Sequence, residues 1–578
     1  MSTIHTLTGK PSIDRPWMKY YPDAVADLKI PYCSVYEYMK NTCKDPEITA
    51  IHYYGADISW KTIFDETEAA ARSLRALGFG EGDQIPCFFQ SMPEFVSLLF
   101  AIDRIGASII CRDNTLEENV EAVFNSGSTL IFAQDYLSQE ELETYLAETK
   151  TEKVVTISPY RNTKAEEIPD YVRANIESRY HKKPASGNMI MTWDDFLKIG
   201  NTYTGPVDAP VDPKRILFRV YTSGSTGPSK QVIHSGENMI SIIHQMFLWN
   251  VELPFRVTWM TPSLPPALIA VTICMILAPM ALNRLLILNP FADINDFDLE
   301  VMRYRPNMIA MIPMMMEILM RGRIPEDYDL SFLFTGGVGA ESFNNCQLSR
   351  AEKFLAAHNC KAPVTVGYGL TEAGSTVTLP SPAAFPVRNG CVGMPLPLAT
   401  VSIFKPGTQE ELTYNQLGEV CKTGPGTMLG YDNRPGATEM SLQTHEDGKL
   451  WLHTGDIGYM DENGTLYVLT RGDAQRYGGG QLATLPMENI LANAEIAGID
   501  DEFFVIYPDP EHEGFFLPYL YIVLLDGYSL NDVKDAICAC LESHMQPVEI
   551  TVLPKRPFYH FKTNRRGMAS EISKKLCH

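Results

Sequence analysis

Between Asp57 and Ser126 the apolar residues change their period several times in quick succession. The stretch "IFDETEAAARSLRALGFGEGD" spaces them as a helix does, "QIPCFF" is short and β-rich, and "PEFVSLLFAIDRIGASII" runs from a helical face into another apolar run. This alternation constrains the fold more than any other feature of the chain. Strands separated by helices pair in parallel and need helical cover, so an α/β domain with a largely parallel sheet is predicted. The pattern resumes from Ile216 through Asn307, where "RILFRVY" and "NRLLILNPF" read as strands around the apolar run Pro266 to Leu282. Residues 150–212 are polar and dotted with prolines, and read as a surface excursion.

After Thr400 the character changes to short strands with turn signals, as in "LWLHTGDIGYMDENGTLYVLTRGD", where Asn463-Gly464 marks a hairpin. From Asp473 to His578 the runs "FFVIYPDP", "LPYLYIVLL" and "EITVLP" read as strands and "LNDVKDAICACLESH" as a helix, a small α+β unit. A boundary near Arg471 to Asp473 divides the chain into 1–471 and 472–578, in keeping with a length of 578 residues that exceeds one ordinary core.

Other classes are disfavoured. With 45% hydrophobic and 20% charged residues the chain should fold compactly, and a formal charge of -22 makes nucleic acid an unlikely main partner. The apolar run Pro266 to Leu282 is shorter than the roughly 20 residues of a membrane-spanning helix and contains Pro279, so it reads as a buried helix. The twelve cysteines are scattered, with Cys538 and Cys540 in a C-x-C that lacks zinc or redox spacing. No basic start followed by an apolar run opens the sequence, and the expected setting is the reducing cytoplasm.

The stretch "YTSGSTGPSK", Tyr221 to Lys230, combines glycines with small hydroxyl residues and a lysine. Glycines let backbone N–H groups close on an anion, and Ser, Thr and Lys add hydrogen bonds and charge, so the loop suits phosphate. A strand leads in and the helix-like "NMISIIHQMF" follows, a strand-loop-helix setting. The spacing is not that of a Walker loop, which weakens a P-loop phosphotransferase, and a serine-rich surface turn is the plain alternative.

The loop resembles the [YF]-T-S-G-[ST]-T-G-x-P-K motif of the adenylate-forming superfamily, which includes acyl-CoA synthetases, peptide-synthetase adenylation domains and beetle luciferases. Further segments follow in the family's order: "TGGVGAE" from Thr335, "GYGLTEAGS" from Gly367, and "WLHTGD" ending at Asp456. The resemblance covers nearly the whole chain. It implies an α/β fold with a large N-terminal domain of stacked β-sheets and helices plus a small β-barrel-like part, followed by a small mobile α+β C-terminal domain. It implies ATP, Mg2+ and coenzyme A as ligands. Thr222, Ser223, Gly224, Ser225, Thr226, Gly227 and Lys230 would hold phosphates. Gly336 and Gly337 would lie at the adenine edge, Tyr368 would stack on adenine, and Gly369 belongs to the same motif. Thr371 would contact the α-phosphate and Glu372 would help bind magnesium. Asp456 would accept from the ribose hydroxyls with Arg471 near the same sugar, and Asp473 would be the hinge.

The family's mobile C-terminal lysine sits in P-x-T-x-x-G-K-x-D-R. Here "PFYHFKTNRR" places Lys562 on the lysine with the spacing one residue short, whereas an alignment anchored on Gly567 puts Met568 there and leaves none. Lys562 is preferred because "NRRGMASEISKK" then continues as the closing helix. A lysine used in the second step by some members is replaced near Tyr477, Gln231 stands for a glycine after the phosphate loop, and Pro265 stands at the acyl gate.

The uncharged "PSLPPALIAVTICMILAP" argues against an amino acid substrate, and the methionines of "RPNMIAMIPMMMEILM" can line an apolar tunnel or simply fill a core. With "RPWMKYYP", which resembles the opening of long-chain acyl-CoA synthetases, this favours a fatty or other apolar carboxylic acid. The expected reaction is acyl-adenylate formation from ATP followed by transfer to a thiol, most simply that of coenzyme A. Two alternatives stay open: a separate carrier protein or an amine as acceptor, and a nucleotide-binding homologue with impaired catalysis.

Overall fold

A computed structural model describes residues 7–112, 115–180, 185–222, 229–246, 255–559 and 561–576. The alternation read from Asp57 folds as helix Trp60–Ala76, strand Gln84–Phe88, helix Pro93–Ile105, strand Ser108–Cys111 and helix Leu116–Ser126. Trp60–Ala76 starts where the Ser59 side chain accepts from the Thr62 amide, and Ile63, Thr67, Ala70, Ala71 and Leu74 make its buried stripe. Pro93–Ile105 is apolar around most of its circumference because it is buried, and it stops at Gly106 in the left-handed conformation.

Two large sheets stack the α/β part. The first has eight strands, of which Ile216–Tyr221, Ser108–Cys111, Gln84–Phe88, Leu130–Gln134, Lys153–Ile157 and Ile190–Thr192 run parallel. Gln231–Ser235 and Gly430–Tyr431 complete it antiparallel at one edge. The second has seven strands and is parallel except where Thr49–Tyr53 turns back into Ala56–Ser59.

Residues 150–212 depart from the sequence expectation. They supply the last two parallel strands of the first sheet, the helices Asp170–Arg179 and Trp193–Ile199, and the buried rings of Trp193 and Phe196. Polar loops around these short elements dilute an apolar signal that is present in "KVVTI". The run Pro266 to Leu282 is buried as expected, with an unexpected π-helical turn over Val271–Leu277 before Ala278–Ala281. Among the described residues no helix is long and apolar enough to cross a membrane.

A third sheet is antiparallel and built from Thr378–Leu379, Cys391–Pro395, Thr400–Phe404, Gly418–Thr423, Leu450–Met460 and Leu466–Arg471, with Leu442–Thr444 paired to the long strand. The turn at Asn463-Gly464 joins Leu450–Met460 to Leu466–Arg471, as its residues predict. One apolar core runs from Trp17 to Leu466 through these three sheets. A separate core begins at Ala474, where Leu482, Met487, Leu491, Phe504, Leu520 and Ile522 pack with the helix Leu530–Cys540. It lies on a three-stranded sheet of Ile499–Pro508, Phe516–Leu524 and Glu549–Leu553, whose other face receives Met568 and Ile572 of the closing helix Arg565–Leu576.

Candidate active site

A cleft of about 1020 Å³ opens where the large sheets, the antiparallel sheet and the C-terminal residues meet, at the upper end of the roughly 300–1,000 Å³ usual for small-molecule sites. Thr222, Lys230, Tyr368, Gly369, Thr371, Glu372, Asp456, Arg471 and Lys562 all line it. These residues are spread from 222 to 562 in the sequence, and only the fold brings them together.

The stems of the glycine-rich loop are fixed to each other. The Thr222 amide donates to the Lys230 carbonyl at 2.9 Å, the Lys230 amide to Thr222 Oγ1 at 3.0 Å, and Ser229 Oγ to the Thr222 carbonyl at 2.7 Å. Ser223, Gly224, Ser225, Thr226 and Gly227 lie outside the described residues. The expected strand-loop-helix setting is corrected: the strand Gln231–Ser235 intervenes before the helix Gly236–Met246, so the loop bridges an antiparallel pair and no helix N-terminus follows it directly.

Lys230 Nζ stands 4.2 Å from the ring centre of Tyr431, and the Tyr431 hydroxyl donates to Glu372 Oε1 at 2.8 Å. Glu372 is buried next to Thr371, which places a carboxyl oxygen donor in the wall; such a donor fits a magnesium ion carried on phosphates. The Thr371–Glu372 turn is braced from behind. His234 Nε2 donates to the Thr371 carbonyl at 2.8 Å, and the Met428 amide to the Glu372 carbonyl at 2.8 Å. His234 is fully buried, and that burial pulls its pKa down to about 4, so the imidazole is neutral and holds its proton on Nε2.

Two glycines in this motif are required by space. A Cβ on Gly369 would stand 1.7 Å from the Ser375 carbonyl oxygen across a two-strand ladder, and one on Gly374, at φ +72, would meet the Gly426 oxygen at 2.6 Å. Gly369 therefore lines the cleft through its backbone.

Asp456 and Arg471 are cross-strand partners, with Oδ1 and Nη1 3.8 Å apart. The Tyr368 hydroxyl donates to Asp456 Oδ2 at 2.5 Å. Burial pushes the Asp456 pKa up, and the Arg471 guanidinium and Tyr368 hydroxyl oppose that rise. Asp473 is exposed just beyond, where Gln481 Nε2 donates to its Oδ1 at 3.2 Å.

Lys562 enters the cleft from the short ladder Phe558–Tyr559 with Lys562–Thr563. Burial lowers its ammonium pKa and Arg471 adds to that effect, while Glu341, Asp456 and Glu372 oppose it. Met568, the rival position, is buried in the C-terminal core and does not line the cleft.

Several expected residues stand elsewhere. Gly336 and Gly337 lie within the strand Gly336–Val338, and the lining from this segment comes from Ala340, Glu341 and Ser342 instead. Ala340 adopts φ 72, a left-handed conformation that turns the chain out of the sheet and toward the cleft. Pro265 lines a different cavity of about 140 Å³ with Cys87, Cys111 and Arg112. None of Met308, Met311, Met314, Met315, Met316 and Met320 lines the cleft, and Met315 and Met316 are core residues. Tyr477 stacks on His512 with ring centres 3.7 Å apart.

Other lining residues carry no motif that sequence reasoning used. Glu419 Oε1 accepts from the Gly455 amide at 3.0 Å and its Oε2 from His453 Nδ1 at 2.9 Å, which fixes the turn that presents Asp456. Cys421, His453's cross-strand partner, adds a sulfur 3.5 Å from the same nitrogen. Tyr431 and Glu341 were likewise missed, because their place depends on strand pairing and on the C-terminal residues.

A family model described as "AMP-binding enzyme" matches residues 40–432 of this chain. A 2-succinylbenzoate–CoA ligase of Oceanobacillus iheyensis is 24% identical over 528 residues, covering 89% of this chain and 94% of the relative. A long-chain-fatty-acid–CoA ligase of Salmonella typhimurium is 25% identical over 473 residues, covering 79% of this chain and 80% of the relative. Among solved structures, the anthranilate CoA ligase AuaEII in complex with anthranoyl-AMP superposes with a TM-score of 0.78 at 15% identity, over 96% of this chain and 100% of that one.

Proposed function

The chain belongs to the AMP-binding enzyme family, within the adenylate-forming superfamily, and from that premise we propose that it activates an apolar carboxylic acid with ATP and transfers the acyl group to coenzyme A. It is an acid–thiol ligase of the AMP-forming kind, with ATP, magnesium and coenzyme A as its small-molecule requirements. The observation that carries the reading is the convergence of Lys562 with Thr371, Glu372, Asp456 and Arg471 on one cleft.

In the proposed mechanism the acid's carboxylate oxygen attacks the α-phosphorus of ATP, giving the acyl-adenylate and pyrophosphate. Asp456, with Arg471 beside it, accepts from the ribose hydroxyls and fixes the nucleotide, and the ring of Tyr368 covers the base. Thr222 and Lys230 donate to the phosphates. Magnesium, held by Glu372, would neutralise phosphate charge when bound. Lys562 places an ammonium where negative charge grows between carboxylate and phosphate, a contribution that is large in a cleft closed to water. A rotation of residues 472–578 about Asp473 then withdraws Lys562, and the thiolate of coenzyme A attacks the mixed anhydride and expels AMP.

For the acid itself, the charge-free stretch from Pro262 to Pro279 supports an apolar substrate, aliphatic or aryl, over an amino acid. The eleven cysteines among the described residues are free thiols, which supports the cytoplasm as the setting. The test supplies magnesium ATP and coenzyme A with a panel of fatty, aryl and amino acids and follows AMP and thioester by mass spectrometry. Thioester from a fatty or aryl acid is the expected result. AMP without thioester would redirect the second step to another acceptor, and neither product with any acid would favour a nucleotide-binding role.

A further inference from the structure

Lys562 belongs to the C-terminal residues, yet its neighbours along the chain are held by one carboxylate of the large part. Glu341 Oε1 and Oε2 both accept from the Thr563 amide, at 3.2 Å each, and Oε1 also accepts from Arg565 Nη1 at 3.0 Å. The Arg565 guanidinium is held in turn by Glu488 Oε1 at 2.9 Å and the Phe504 carbonyl at 3.1 Å, both C-terminal groups. Glu341 is nearly covered, with 11% of its side chain exposed, and it lines the same cleft as Lys562. The left-handed turn at Ala340 is what brings it out of the sheet.

Resting on the adenylation reading above, we propose that Glu341 is the positioning residue that seats Lys562 for the first step. Its carboxylate receives the amide of the next residue and the guanidinium three residues on, so the backbone at Lys562 has one resting place relative to Thr371 and Asp456. The seat is polar and made of few groups. A rotation about Asp473 must break these bonds, and breaking them removes Lys562 from the cleft as a unit with Thr563 and Arg565. Glu341 thereby couples the position of the small part to the stage of the reaction.

The two half-reactions separate this role from general support of the fold. In Glu341→Ala, acid-dependent exchange of labelled pyrophosphate into ATP should fall about 10- to 100-fold in kcat, the range expected on losing hydrogen bonds to a charged acceptor, with KM for ATP little changed. Thioester formation from supplied acyl-adenylate and coenzyme A should fall far less. Glu341→Gln, which keeps an oxygen for the Thr563 amide and the shape of the side chain, should recover part of the exchange. Backbone amide exchange with deuterium should rise in peptides covering residues 561–567 of Glu341→Ala and stay unchanged in peptides covering 84–111. Exchange equal to wild type, or equal losses in both half-reactions for both variants, would overturn the seat. If wild type exchanges no pyrophosphate with any acid, the adenylation reading fails, and the deuterium measurement alone decides: unchanged protection of 561–567 overturns the seat, and its selective loss supports it.

Discussion

The wall of the cleft that carries Thr371, Glu372 and Asp456 is fixed from behind by a buried histidine, by Tyr431 and by paired strands, whereas the wall that carries Lys562 is fastened through Glu341 and Arg565. The first is continuous with the large apolar core, and the second with the separate core that starts at Ala474. The first wall gains from many buried, non-directional apolar contacts, while the backbone beside Lys562 is held to the large part by directional polar bonds from Thr563 and Arg565 to Glu341. The proposed mechanism draws on this division: nucleotide binding would need a site that stands ready, and a cation used in one step would need an attachment that can be undone.

The comparison breaks most visibly if the fixed wall is damaged. Asp456→Ala removes the acceptor of the Tyr368 hydroxyl and the charge paired with Arg471, and ATP affinity by calorimetry should fall about 10- to 100-fold. Lys562→Ala should leave that affinity within about threefold, because its ammonium answers charge that develops only as the carboxylate attacks. Equal losses in both variants would mean that the two walls do not divide the work.

A pH titration sharpens the same contrast. The folded-state pKa of His234, about 4 against an ordinary 6.5, means that its neutral form is stabilising. That contribution is complete above pH 6.5 and is lost as pH falls toward 4, a total of ~3 kcal/mol. Denaturant unfolding at pH 7 and pH 4.5 should therefore show wild type losing more stability than His234→Gln. Parallel losses would assign the bracing of Thr371 to other groups.

The smallest expected effect concerns salt. Arg565 is 28% exposed, so its pairs with Glu341 and Glu488 are open to screening. Raising potassium chloride tenfold from a low-salt buffer should speed deuterium uptake in residues 561–567 by about twofold and leave strand Gln231–Ser235 unchanged. Uniform uptake in both segments would put them on the same footing.

Much of the fixed wall was legible in the sequence. Helical and strand periods are local, so Trp60 through Ser126 could be read directly, and Asn463-Gly464 announced its hairpin. The segments around Tyr368 and Asp456 stood out through their resemblance to motifs of the adenylate-forming superfamily in the same order. The other wall was less legible: Lys562 and Met568 each fit one alignment of the motif, and only the fold puts Lys562 at the cleft and Met568 in the C-terminal core. Gly336 and Gly337 precede the lining that starts at Ala340, whose left-handed conformation no motif encodes. Glu419 and His453 were invisible for another reason, since their side chains, 34 residues apart, meet only across neighbouring strands. Short strands within residues 150–212 were masked by the polar loops around them.

Under the proposed mechanism Lys562 serves acid activation in the cleft built by Thr371, Glu372 and Asp456. Acid-dependent exchange of labelled pyrophosphate into ATP, compared between wild type and Lys562→Ala at saturating ATP, tests it most directly. Exchange should be robust in wild type and fall about 10²- to 10³-fold in the variant, the cost of removing one group that stabilises developing charge. Undiminished exchange in Lys562→Ala would contradict it.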